Sequence, residues 1–322
     1  MSNRRQVLAT ASRLDRANQR QTLGRLSSLV VSKTTATKYE RCVSRFFQFL
    51  TGEGFELPRL YCDFDNLLCR FVETAWQEGE GRSEVTYTIA GLQHFCPTIR
   101  GHLPCAWRLM SAWSRNELPS RAPPLPESLL RAFVGQALLL SAPEVAVGIA
   151  IAFDGLMRSG ELFKLKCGDC VVADDGKSIV INLGITKGGS RRGVVESVVL
   201  YDGLAINLLR ARLLRSLPGD PLLPKGGSHF RKNFASICRT LCLDDFSFRP
   251  YSLRRGGATL HFQRFMSMSS TCVRGRWGQE RTARLYINEG LATLTTITLS
   301  DEAKRACKVA ERRLASVFTN LP

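Results

Sequence analysis

Along the first third of the chain, apolar residues recur at the spacing of a helix face. Tyr39, Val43, Phe46, Phe47 and Leu50 fall at i, i+4, i+7, i+8 and i+11, and Gly52 and Gly54 end the run. Phe64, Leu67, Leu68, Phe71, Val72 and Ala75 predict a second helix over 63–77. A third is expected over 83–94, and a fourth around 107–113 after breaks at Pro97 and Pro104. Short helices of this kind pack as a bundle, so residues 32–118 are expected to form an all-α domain. Residues 1–31 are rich in Arg, Ser, Gln and Thr and have only weak periodicity at Leu8, Leu14 and Leu23, which predicts a flexible basic segment or a frayed helix.

Pro119, Pro123, Pro124 and Pro126 forbid a continuous helix and mark 119–126 as an extended linker. Beyond it, residues 144–156 are almost continuously apolar and predict a helix buried all round. The pattern then changes period. Ile179, Ile181, Leu183 and Ile185 alternate within 178–186, and 194–200 is a second β-branched run. The glycine-containing loop KGGSRRG between them predicts a hairpin with Lys187 at its tip. Helices are expected over 204–217 and 230–241. Over 300–318, Ser300 is placed to cap an amphipathic helix with Ala303, Ala306, Ala310, Leu314 and Phe318 on its apolar side. The fold class is therefore mainly α with a small antiparallel β-sheet (α+β) in the domain 127–322, behind an all-α N-terminal bundle.

Charge changes what such a fold is for. With 45 Lys and Arg against 28 Asp and Glu, the net charge is +17 and the pI about 9.8, which favours a polyanionic partner. Lys33, Lys38, Arg41 and Arg45 lie off the first helix's apolar stripe, either as an ordinary solvated face or as phosphate contacts. Eleven cysteines without an export signal read as reduced thiols. Cys167 and Cys170 have no second close pair to complete a zinc set and read as incidental. The longest apolar run, Val145 to Phe153, is far below the roughly 20 residues of a membrane helix, so a soluble intracellular protein without a membrane partner is expected.

The candidate chemistry lies in the last quarter, in YSLRRGGAT at 251–259 and GRWGQERTARLYI at 275–287. Cutting a phosphodiester through a covalent intermediate needs a side-chain nucleophile, fixed cations on the non-bridging oxygens and a donor to the developing charge. Tyr286, Arg254 and Trp277 are residues of those types. A second guanidinium, Arg158 in MRSGEL, follows the buried helix, where Glu161 can cap the next helix or orient an arginine. Gly256 and Gly257 suggest close packing at a helix start.

These strings resemble the tyrosine recombinase (phage integrase) family: Arg158 as its first arginine, Lys187 in ITKGG as its hairpin lysine, Arg254 in YSLRR as its second arginine, Trp277 as its Trp variant and Tyr286 in ARLYI as its nucleophile. One position departs, since Tyr251 stands where the family's usual histidine would be. The resemblance implies an integrase-like catalytic domain over 127–322 and a helical, SAM-like core-binding domain over 32–118 that clamps DNA. It implies attack by Tyr286 to give a 3′-phosphotyrosine, stabilisation of the phosphorane by Arg158, Arg254 and Trp277, and protonation of the 5′ oxygen by Lys187. Tyr251 can donate a hydrogen bond but is a poor base at neutral pH. Arg191, Arg192 and Arg255 are expected to meet DNA or solvent. No cofactor is implied, neither ATP nor metal. The implied partner is double-stranded DNA, bound by a homo-tetramer in which the C-terminal helix docks on a neighbouring subunit; packing on its own domain is equally consistent. The last two strings read most like recombinases of eukaryotic mobile elements, which would place the protein in the nucleus, and otherwise in the cytoplasm. Two other readings stay open: a domesticated DNA-binding protein without turnover, and a type IB topoisomerase that reseals the same strand.

Overall fold

The computed structural model of the chain describes residues 12–186, 188–189 and 193–319. Lys187, Arg191 and Arg192 lie outside the described residues. The chain divides into two compact units, Met1–Ser120 and Arg121–Pro322.

In the first unit α1 (Arg13–Leu23) starts at Ser12, whose hydroxyl accepts from the Asp15 amide at 3.2 Å. It buries no residue, and Leu14 is 71% exposed. Of the segment 1–31, read as flexible or as a frayed helix, residues 1–11 lie outside the described residues, and 13–23 form this helix, favoured locally by its cap and by helix propensity. Helix α2 (Lys33–Gly52) buries Cys42, Val43, Phe46 and Leu50, while Phe47 is exposed. The expected stripe is rotated by about one position because Cys42, small and apolar, takes the inward place. Next come α3 (Tyr61–Gln77), α4 (Arg82–Phe95) and α5 (Pro104–Asn116). Helix α5 starts earlier than its apolar residues suggest: the buried Asp65 carboxylate on α3 takes the free amides of Cys105 and Ala106 at 2.8 and 3.0 Å. The core closes on Phe46, which is fully buried and meets Phe64 and Phe71 edge-on at 5.8 and 5.3 Å.

The second unit opens with α6 (Glu127–Leu139), whose burial on most sides leaves no periodicity to read. Helix α7 (Pro143–Asp154) is the expected buried helix, with every residue from Val145 to Phe153 in the core. After the short α8 (Ser159–Leu162), strands β1 (Cys170–Val172), β2 (Ile179–Gly184) and β3 (Glu196–Leu200) form an antiparallel sheet in the order β1-β2-β3, with Ile181 opposite Val198. Strand β2 stops at Gly184, where a register irregularity ends the alternation that seemed to continue to Ile185. Val194 and Val195 are exposed ahead of β3.

The remaining helices are α9 (Gly203–Leu213), α10 (Gly226–Thr240), α11 (Pro250–Phe265), α12 (Met268–Gly275), α13 (Glu280–Arg284), α14 (Glu289–Ile297) and α15 (Asp301–Thr319). Helix α15 lies on α6, burying Ala303, Cys307, Ala310 and Leu314 in the unit's main core. Gly135 permits this approach, because a Cβ there would overlap the Ala310 carbonyl. Of the two placements the sequence left open for the terminal helix, this is packing on its own domain.

Candidate active site

The site is built where α7 ends. The chain leaves it through Leu156, held in a left-handed conformation at φ 47°, and reaches Arg158 at the cap of α8. Glu161, one turn on, accepts from the Arg158 backbone amide at 2.9 Å and from its Nη1 at 2.5 Å. This carboxylate therefore does both things the sequence allowed, capping α8 and orienting the arginine. Glu196 of β3 stands 3.9 Å from the same Nη1 and accepts from the Thr186 hydroxyl at 2.5 Å. Arg158 keeps 30% of its side chain in solvent.

Helix α11 supplies the second guanidinium. Gly256 and Gly257 lie against the carbonyls of Leu125 and Phe153, positions that a Cβ would fill, so the helix sinks onto α7 and the linker. Arg254 is consequently wholly buried. Its Nη1 donates to the Leu156 carbonyl and its Nη2 to the Gly275 carbonyl at 2.6 Å, and its guanidinium lies 4.6 Å from the Trp277 ring and 5.3 Å from that of Tyr286. Burial pushes its pKa down to about 10, with Arg158 and Arg276 adding to the effect, so it remains a cation at neutral pH. The next residue corrects the sequence reading. Arg255 is only 6% exposed and does not lie open to solvent, because α11 is covered on several faces from Ser252 to Thr259.

Tyr286 follows α13 in a turn, its amide bonded to the Ala283 carbonyl at 2.9 Å. Its ring packs 4.6 Å from that of Trp277, and the Tyr251 hydroxyl donates to its oxygen. Burial raises the Tyr286 pKa, but the Tyr251 hydrogen bond, the Arg254 charge, the Trp277 indole N–H and the Arg158 charge outweigh it, so the phenol sits below its ordinary value. Burial and the neighbouring phenol push Tyr251 the other way. Trp277 is 7% exposed, and its indole N–H helps to hold down the Tyr286 pKa although it meets no acceptor at full hydrogen-bond geometry.

Arg276 belongs to the same cluster and was not expected there. It is buried, with Nη2 2.8 Å from Glu161 and Nε 3.6 Å from Glu196. The only trace in the sequence is a charged residue wedged between Gly275 and Trp277.

The other expected DNA contacts are in the first unit. Arg41 pairs with Glu84 of α4 at 2.6 Å and Arg45 with Glu80, just ahead of that helix, at 2.7 Å, so both are paired with carboxylates of their own unit. Lys38 lies 5.3 Å over the Tyr87 ring, and Lys33 is exposed at the start of α2. Cys167 is buried, burial pushes the Cys170 thiol up to about 12, and no group of metal-ligating side chains occurs among the described residues. Nor is any described helix long and apolar enough to cross a membrane.

No protein-family model and no curated protein matches the sequence. Solved structures do. The Tn1549 transposon integrase in complex with transposon right-end DNA superposes with a TM-score of 0.60 at 13% identity, over 93% of this chain and 98% of that one. A lambda integrase dimer bound to a core site gives 0.56 at 15% identity, over 86% and 94%. The XerH site-specific recombinase in a post-cleavage complex gives 0.53 at 17%, over 69% and 68%. The fold is that of the tyrosine recombinases. Within the tyrosine-recombinase fold of this chain, Arg158, Tyr251, Arg254, Trp277 and Tyr286 converge from segments far apart in sequence.

Proposed function

We propose that the protein cuts and rejoins duplex DNA through a phosphotyrosine, as a site-specific recombinase or integrase. The observation that carries this reading is the Tyr286 phenol, hydrogen-bonded by Tyr251 and set among arginines contributed by α8 and α11. The phenolic oxygen forms a bond to phosphorus as the bond to the 5′ oxygen breaks; the phenol's proton passes to solvent water, and Lys187 supplies one to the leaving oxygen. Arg158 is the guanidinium open to a phosphate, and its planar fork suits two non-bridging oxygens. Arg254 acts from beneath as a positive field. Direct contact with the phosphate requires the Tyr286 ring to swing off it and a carbonyl bond to be exchanged. The Trp277 N–H, buried beside the Tyr286 oxygen, is a donor that a phosphoryl oxygen can take up.

The structures of similar fold are complexes with DNA, which agrees with the basic composition and a duplex partner. In this reading the helical unit is the core-binding domain. Assembly of several copies, as in the lambda integrase tetramer on a Holliday junction, would use surfaces other than the apolar face of α15. The complete burial of Arg254 favours a second reading, a DNA-binding protein that no longer turns over.

The two readings separate in one experiment. Incubation with a pool of nicked duplexes, randomised around the nick so that the cut fragment diffuses away, should leave a covalent protein–DNA adduct. Tyr286→Phe should lower it by about a thousandfold or more. Duplex binding with no adduct from the parent protein would favour the silent reading.

A further inference from the structure

Of the arginines on α11, Arg254 donates to two carbonyls and Arg264 to Glu127, whereas Arg255 makes no hydrogen bond and no ion pair among the described residues. Yet Arg255 is only 6% exposed. Its Nε is sealed from solvent without an acceptor; the two Nη atoms are not sealed, so the fork end is what remains open. A guanidinium taken out of water with nothing to accept its protons is costly, and a fold that keeps one calls for an explanation. Helix α11 carries no Asp or Glu, and Glu127, the first carboxylate beyond the linker, is held by Arg264. The linker lies on the helix, its Leu125 amide bonded to the Ser252 carbonyl at 3.0 Å, and brings a further cation near Arg255, the exposed Arg121. Burial pushes the Arg255 pKa down from the usual arginine value and the Arg121 charge adds to the fall, while Tyr251 and Tyr286 act in the opposite direction. The guanidinium stays charged at neutral pH.

Its place in the fold says what it is for. Tyr251 stands one turn earlier on the same face of α11, is 39% exposed, and donates its hydroxyl to Tyr286, so this face reaches the surface beside the nucleophile. Arg254, one position away, points about 100° around the helix and lies 5.3 Å from the Tyr286 ring. Two adjacent arginines thus approach the phenol pair from different faces of one helix. We propose that Arg255 is a second phosphate site: its open fork, with Arg121 adding to the field, takes a DNA backbone phosphate next to the one that Tyr286 attacks, and so fixes the register of the strand on the nucleophile. This rests on the strand-transfer reading above, but stability and binding test it apart from cleavage.

Arg255→Met exchanges the guanidinium for an apolar side chain that fills much of the same space. In the free protein its urea midpoint should stay level or rise, because a buried charge is removed and no hydrogen bond goes with it. Affinity for the nicked-duplex pool, measured across a salt series, should fall about tenfold at low salt. The slope of log affinity against log salt should become shallower by about 1, the share of one phosphate contact. A lowered midpoint, or a variant that no longer folds, marks an arginine that holds the fold and overturns the inference. An unchanged salt slope overturns it as well. The two readings fail separately. A parent that binds the duplexes but leaves no adduct ends the strand-transfer reading, while the slopes still decide the role of Arg255. A parent that leaves an adduct, with equal slopes in parent and variant, ends the inference alone, and a parent that binds no duplex ends both.

Discussion

Tyr251 and Tyr286 touch through their hydroxyls yet are held in opposite senses: burial and its neighbour disfavour ionisation of the first, while the donated hydrogen bond and two arginines favour ionisation of the second. A nucleophilic phenol below its ordinary pKa makes adduct formation rise with pH and level off earlier than for a free tyrosine. Tyr251→Phe removes the donor, so the Tyr286 pKa should move up and the rise shift to more alkaline pH. At pH 7 the rate should fall about threefold to tenfold, the worth of one hydrogen bond. Initial adduct rates across pH check this, and an unshifted profile would count against the role given to Tyr251. Arg158, Arg254, Trp277 and Tyr286 were legible because short strings carry residue types with few other joint uses. Arg276 and Glu196 were not, since an arginine after a helix and a glutamate opening a strand have no pattern, and only folding brings them within 3.6 Å. Arg255 misled because its neighbour Arg254 was assigned inward, and adjacent helix residues normally diverge; α11 is covered widely enough to bury both.

Among elements, the contact between α6 and α15 is the most extensive of any described pair and depends on one missing side chain. Gly135→Ala would press a methyl group into the Ala310 carbonyl, and the shift needed should cost about 1–3 kcal/mol or more. Urea unfolding measures it, and an unchanged midpoint would show that the helices are not so closely joined. Legibility tracked period and length. The alternation of β2 and the apolar run of α7 announced themselves, whereas β1 has three residues and α6 is buried on most faces. Helices α12 and α14 are short and partly polar, fixed by the side chains of Ser267 and Asn288, which accept from the amides of Ser270 and Leu291.

The unit as a whole carries the arginine cluster as a liability in acid. Burial raises the Glu161 pKa, but Arg276 and Arg158 outweigh it, so the folded value lies below the ordinary 4.5. A carboxyl lowered on folding contributes stability that is complete above its unfolded pKa and is lost as pH falls through the folded one. Melting temperature should therefore drop below about pH 4.5, and Glu161→Gln should flatten that part of the curve. Equal acid slopes in parent and variant would remove Glu161 from the account. The placement of α15 bears on how the polypeptide is made. The helix against Gly135 is translated long after it, so a nascent chain on the ribosome lacks one wall of this core until Leu314 has emerged. Closure joins segments separated by most of the unit, a slow kind of contact, and leaves the greasy flank of α6 a client for chaperones in the meantime.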